Sequence, residues 1–510
     1  MALPLIKPVH ISHAKSVAQS TADIFVLIVD ESDIENSKLL SPELIALDAQ
    51  TNGVISALTS FGDFDGKWLQ TTVSLLPNSK ISSRILLVGT GKKTTHSEAR
   101  ARAIGLKIAE ESVKLKSSNI VISGSSKTLK NTSNLAQIAF GMSASIYKYP
   151  NSNMSAEAKS ELEKPFSATL VSDVSGAAEA IQKAMILASH TEVCRLFQDG
   201  PPNISTPKFI AEQTELRAKK LGLTVNIYGA QKLREMGFNA MLAVAGGSAQ
   251  EPQFVVVEYK PAQYKKTVAF VGKGLTMDTG GYSIKTPAAL QMNMKYDMSG
   301  SAVVLNSVLA MAELKLPVRV FAVAALCENM IDAHAFRVGD VITSYSGKTI
   351  EVLNTDAEGR VVLSDALSYT ARVLKPDYII EYSTLTGGMI TALGHVAAGV
   401  FTFGNDSLAK AVADASETSG ERTWPMPVWE EDLDGVKSTI ADLQNLGTPT
   451  GAAQSCAAAA FLREFTEDIP FAHIDIAGVA DNNMGIGYPK KISSGFGIQL
   501  SIAIAEKLAV

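Results

Sequence analysis

Four acidic residues, Asp278, Asp297, Asp356 and Glu358, lie in three short stretches rich in glycine and small side chains. The first reads Val271-Gly-Lys-Gly-Leu-Thr-Met-Asp-Thr-Gly-Gly281, with Lys285 following closely. The second is Met294-Lys-Tyr-Asp-Met-Ser-Gly300, and the third is Asn354-Thr-Asp-Ala-Glu-Gly-Arg360. Gathering four carboxylates is strongly unfavourable without cations. Lys273, Lys285 and Arg360 supply some positive charge, but a pair of divalent metals does so better. Hard oxygen donors suit magnesium or manganese, and zinc also accepts carboxylates. Two metals ~3.5–4 Å apart, bridged by carboxylates and a water, form a recurrent hydrolase arrangement.

Each stretch alone has a plainer reading. Asp278-Thr-Gly-Gly fits a turn, and Asp297 fits a helix N-cap. Asp356 and Glu358 suit the positive end of a helix dipole, and Lys273 alone suits a solvated surface. These readings leave the clustering at consecutive strand ends unexplained, and spacing by itself leaves both accounts open. In an extended chain, residues two apart share a side. A common task for Asp356, Glu358 and Arg360 therefore predicts an extended or irregular segment, with the helix starting after Gly359.

The elements that must position these groups read as α/β. In the first ~180 residues, strand-like runs occur at 24–29, 84–88 and 119–123, with a helical pattern from Ser97 to Leu115. A helical run from Gly176 to Phe197 follows. Further on, nearly all-apolar runs at 254–258, 267–271, 318–322, 378–382 and 471–476 suit strands covered on both faces. Helix patterns lie near 207–221, 299–315, 360–374, 406–418 and 451–465. The fold class predicted is α/β in two domains, each a mainly parallel sheet flanked by helices, the N-terminal one smaller and variable. The spans are 1–180, a connecting helix at 181–198, and 199–510. In such sheets ligands bind beyond the carboxyl ends of the strands.

Composition limits the alternatives. A chain of 510 residues is too long for one ordinary core. A net charge of −5 with no basic tract gives no case for nucleic acid binding. Cys194, Cys327 and Cys456 are far apart, which argues against a disulfide framework and a thiolate zinc site and fits a reducing compartment. No apolar run has the length of a membrane span. The cytoplasm is the expected setting. Residues 1–22 carry Lys7 and Lys15 and no acid, a weak organellar-presequence signal opposed by Pro4, Pro8 and the lack of arginine. H-E-x-x-H and G-x-S-x-G are absent. His334, His395 and His473 are scattered and read as structural, with His473 a hydrogen-bonded core residue.

The stretches at 271–281 and 354–360 resemble the leucyl (cytosol) aminopeptidase family. So do Pro201-Pro-Asn203, Thr206-Pro207, Glu328-Asn-Met330, Gly339-Asp-Val-Ile342, Ser383-Thr-Leu-Thr-Gly387, Ala441-Asp-Leu-Gln-Asn445 and Ala472-His-Ile-Asp-Ile-Ala-Gly478. The resemblance covers essentially all of 200–510 and reaches the first domain, of an oligomer-assembly type, only in pattern. It implies a metal-dependent exopeptidase acting on peptides, with two divalent ions per subunit (zinc or manganese, with magnesium and cobalt as further options) and a bicarbonate ion. Lys273, Asp278, Asp297 and Glu358 would hold the tighter metal; Asp278, Asp356 and Glu358 the more exchangeable one. Lys285 would stabilise the oxyanion, and Arg360 would hold bicarbonate as general base, with Leu385 and Thr386 completing the anion pocket. Met294, Asn354, Thr384 and Gly387 would line the pocket for the first side chain, giving a preference for leucine and other apolar residues. The implied assembly is a homohexamer, a dimer of trimers. Departures from the family pattern are Met277, Thr279 and the segment Ile492-Ser-Ser-Gly-Phe496.

Overall fold

The computed structural model describes residues 3–17, 22–76, 82–92, 97–125, 127–150, 153–404, 406–481, 484–489 and 493–509. Ile492 and the leading Met1 and Ala2 fall outside them. The chain forms two compact units: Pro4–Ser189 with Ile486–Pro489, and Met1–Leu3 with His190–Gly485 and Lys490–Val510. Helix Ala177–Asp199 runs through the change from one unit to the other.

The smaller unit is a six-stranded sheet in the order Val9–Ala14, Phe166–Val171, Asn119–Gly124, Ile24–Val29, Arg84–Gly89, Thr71–Leu75. All neighbours are parallel except the last pair. The strand Ile24–Val29 is buried at every position, as a central strand covered on both faces must be. Segment 148–166, polar in sequence, carries a helix Ala156–Glu163 with no buried residue.

The larger unit holds an eight-stranded sheet in the order Thr423–Pro425, Ala398–Phe403, Phe471–Asp475, Tyr378–Ser383, Thr267–Asp278, Arg319–Asn329, Gln253–Tyr259, Thr224–Tyr228. The four middle strands are mutually parallel, so their carboxyl ends share one edge. Those ends are Asp475, Ser383, Asp278 and Asn329. Aliphatic runs such as Val268, Ala269, Phe270 and Val271 are fully buried, which anchors the sheet in its core.

One strand differs from the sequence expectation. The apolar run beginning at Thr267 continues through the glycine-rich stretch to Asp278, so Lys273 sits inside the strand instead of beyond its end. Its glycines explain why. An ideal Cβ at Gly272 would lie 2.5 Å from the Gly300 backbone, and one at Gly300 would lie 1.9 Å from the Tyr382 carbonyl oxygen. Helix Ser299–Glu313 thus packs on the sheet closer than any side chain permits. Thr206 caps helix Pro207–Lys220 by accepting from Phe209 N–H at 3.2 Å, and Pro207 stands in the first turn, as the sequence indicated.

Candidate active site

The carboxyl edge of the parallel strands brings the separated acids together. Asp278 ends strand Thr267–Asp278, Asp297 follows a short helical turn, and Glu358 opens helix Glu358–Tyr369. All three are buried. Each offers a carboxylate oxygen, and these atoms lie within 4.8 Å of one another. Asp356 stands beside them, half-buried, on the same cleft.

Two lysines balance this charge. Lys273 Nζ lies 2.7 Å from Asp297 Oδ2 and 3.0 Å from Glu358 Oε1. Lys285 Nζ lies 2.8 Å from Asp278 Oδ2 and 2.5 Å from Asp356 Oδ1. Burial acts to discharge both ammonium groups, but the carboxylates outweigh it, Asp297 and Glu358 at Lys273 and Asp278 first at Lys285. Both lysines are held protonated. Among the acids, burial pushes Asp297 up to about 8 and Asp356 up to about 6, and it raises Asp278 as well. At Glu358 burial is overcome by Lys273 and Lys285, and the pKa falls.

The donor set fits divalent cations. It offers hard carboxylate oxygens at close range, and Glu358 Oε2 is buried without a hydrogen-bond partner. The plainer readings are partly met. Asp278 does form a turn, accepting Gly280 N–H on Oδ1 at 2.8 Å, yet its Oδ2 still faces Lys285. Asp297 does not cap the following helix, whose cap residue is Met298.

The third stretch departs from expectation. The helix begins at Glu358, not after Gly359. At 3.6 residues per turn, Glu358 and Arg360 diverge by about 200°. Glu358 lines a cleft of 680 Å³ together with Lys273, Asp278, Asp297 and Asp356. Arg360 instead lines a second cleft of 330 Å³. The two share Lys285, Asp356, Leu385, Thr386 and Gly387 as common wall. Gly359 lies between them, and a Cβ there would meet Lys273 Cε at 2.5 Å and displace the lysine from its place between the acids. Arg360 is buried, forms no ion pair or side-chain hydrogen bond among the described residues, and leaves Nε without a partner. Burial draws its guanidinium down to about 10, against the opposing charges of Glu358 and Asp475.

Met294 and Thr384 line the larger cleft, Gly387 lines both, and Asn354 lines the smaller one with Arg360. Asn354 turns inward, its Oδ1 accepting Asp356 N–H at 2.7 Å. Thr384 donates its hydroxyl to Asp297 Oδ1 at 2.8 Å. Two asparagines of the motif stretches, Asn329 and Asn445, support the site from behind. Asn329 Nδ2 donates to Asp278 Oδ1 at 2.8 Å and to Thr355 O at 2.9 Å. Asn445 donates to Asn354 O at 2.7 Å and accepts Leu353 N–H at 2.8 Å, which fixes the turn carrying Asp356. Both amides are fully buried and so need partners; the apolar run before Asn329 signals such a position, whereas the polar surroundings of Asn445 do not. His473 pairs with Glu381 at 2.5 Å inside the sheet, as read, whereas His395 lines the larger cleft.

Residues 192–502 match the model for the catalytic domain of the cytosol aminopeptidase family, and residues 26–154 match that for its N-terminal domain. The cytosol aminopeptidase of Buchnera aphidicola subsp. Acyrthosiphon pisum is 37% identical over 455 residues, 86% of this chain and 89% of the relative. Leucine aminopeptidase 2, chloroplastic, of Arabidopsis thaliana is 38% identical over 500 residues, 94% of this chain and 83% of the relative. Among solved structures, a mutant of tomato leucine aminopeptidase matches with a TM-score of 0.87 at 32% identity, covering 99% of this chain and 98% of that one. The bottromycin maturation enzyme BotP in complex with Mn matches at 0.83 and 27% identity, covering 96% and 100%.

The raised acids and protonated lysines predict how metal affinity depends on pH. A cation bound by Asp297, Asp356 and Lys273 would compete with their protons. Affinity for manganese or zinc should therefore rise from pH 6 to pH 8, with protons released on binding. Calorimetry in buffers of different ionisation heat checks this; affinity that is flat or falling over that range contradicts it.

Proposed function

Because the chain belongs to the cytosol aminopeptidase family, we propose that it releases N-terminal residues from peptides, preferring leucine and other apolar side chains. Its class, a metal-dependent aminopeptidase, follows from that membership. The observation that carries the reading is the buried cluster of Asp278, Asp297 and Glu358, balanced by Lys273 and Lys285 at the head of a cleft. Among the described residues no helix is long and apolar enough to cross a membrane.

Lys273, Asp278, Asp297 and Glu358 would hold one metal, and Asp278, Asp356 and Glu358 the other. Zinc or manganese suits this mixed set, and the manganese complex of the similar BotP supports the latter. When bound, the two ions supply Lewis acidity and an activated water. Lys273 must lose its proton to serve as a ligand, which neighbouring cations favour. Lys285 keeps its charge and faces the same cleft, placed to stabilise the oxyanion of the tetrahedral intermediate. Arg360 would hold bicarbonate as general base for that water, with Leu385 and Thr386 walling the same small cleft. Its buried, unpartnered Nε supports an anionic ligand there. One of the two metals would take the substrate's free α-amino group, which confines cleavage to the first residue. Met294, Ile284, Leu290 and Ile390 give the larger cleft an apolar wall for that residue's side chain. A pocket selecting by apolar fit discriminates by ~1–3 kcal/mol per methylene, so the preference is broad.

The cytoplasm is the setting we propose, supported by unpaired Cys194, Cys327 and Cys456. The assembly we propose is a homohexamer, with exposed Trp424, Trp429 and Ile440 as apolar surface available for burial; a sedimentation mass of a single chain would remove it.

Leu-amide should be hydrolysed in the presence of manganese or zinc and spared after chelation, while N-acetyl-Leu-amide should resist throughout. Folded protein with no metal-dependent release overturns the reading. Arg360→Ala should lower kcat by about 100-fold, the scale of general-base catalysis, with bound metal unchanged by elemental analysis. If it strips the metals instead, the division of roles fails.

A further inference from the structure

We infer that Asp475 is a positioning residue for the reaction, its buried carboxylate setting the Leu385–Gly387 segment that walls both clefts. Asp475 ends strand Phe471–Asp475 and is fully buried. It lines neither cleft itself. Its Oδ1 accepts the N–H of Leu385 at 3.2 Å and that of Ala477 at 3.1 Å. Its Oδ2 accepts the Thr386 hydroxyl at 2.7 Å. Thr386 Oγ1 in turn accepts Met389 N–H at 3.3 Å, capping helix Gly387–Leu393, and lies 2.5 Å from Ser455 Oγ. One carboxylate thereby joins the ends of two neighbouring parallel strands to the start of a helix that borders the site.

Asp475 has no ion pair among the described residues, and its buried carboxylate is held by the hydrogen bonds just named. That is a costly way merely to close a strand end. It is explained by what the three donors carry. Leu385 and Thr386 line both clefts, and Ala477 lines the larger. The same charge acts on the buried guanidinium of Arg360 in the smaller cleft. A carboxylate orients rigid geometry well because charge-assisted hydrogen bonds are short and strong.

The catalytic consequence rests on the aminopeptidase reading; the structural one does not, and the experiment separates them. Asp475→Asn keeps the volume and one acceptor, removes the charge, and presents an amide donor or a reoriented oxygen to Thr386. With metal-loaded protein and Leu-amide, kcat should fall about 10- to 100-fold, the range for residues that orient a metal site. KM should stay within about two-fold, and bound metal and the melting temperature should be unchanged. Thr386→Val cuts the same bond from the other side, and the double variant should be no slower than the slower single. In D475N, hydrogen exchange at the Leu385 and Met389 amides should accelerate at least ten-fold. Unchanged kcat, an additive double variant, or a loss that tracks metal content each overturns the inference. So does wild-type exchange in D475N, whether or not the protein turns over substrate. An inactive wild-type protein whose Leu385 amide is released in D475N sinks only the aminopeptidase reading.

Discussion

The site depends on one electrostatic constraint: Asp278, Asp297 and Glu358 are buried within a few ångströms of each other and cannot all be charged without cations. In the protein alone, Lys273 and Lys285 meet that demand, each spanning two acids. Burial opposes every charge in the cluster: attraction overcomes it at Lys273, Lys285 and Glu358, whereas burial prevails at Asp297 and Asp356. The lysines sit differently: Lys273 lies deep between Asp297 and Glu358, whereas Lys285 bridges Asp278 to the more exposed Asp356.

The sheet answers that constraint by close packing. Four parallel strands deliver Asp278, Asn329, Ser383 and Asp475 to one edge. Gly272 and Gly300 let helix Ser299–Glu313 lie directly on the strands. Gly359 leaves room for the stem of Lys273 to cross the start of helix Glu358–Tyr369. Thr384 and Asn329 bond Asp297 and Asp278 directly, and Asn445 holds the backbone of the turn that carries Asp356.

The helix start at Glu358 separates two tasks that spacing alone would have merged. An extended segment would present Asp356, Glu358 and Arg360 to one space. The helical turn sends Glu358 into the large cleft and Arg360 into the small one, with Asp356 and Lys285 on their common wall. An unpaired buried guanidinium beside a cluster of carboxylates is thus kept from simply pairing with them.

Much of this was legible in the chain itself. The central strands stood out because a strand covered on both faces must be apolar throughout, as Ile24–Val29 and Thr267–Val271 are. Edge strands such as Val9–Ala14 and Thr71–Leu75, half exposed, carry no such signal. The acids, the lysines and Arg360 could be named from residue type, from spacing and from resemblance to a family. Three things needed the tertiary structure: the continuation of strand Thr267–Asp278 past its glycines, the placement of Asn354 in the smaller cleft, and the bonds from Asp475 to Leu385 and Thr386. Each depends on which segments meet across about 50 to 90 residues of chain, and local sequence holds no record of that. Sequence alone determined the chemistry available here; only packing decided which groups face each other, because charge and hydrogen bonding act through distances that the fold sets.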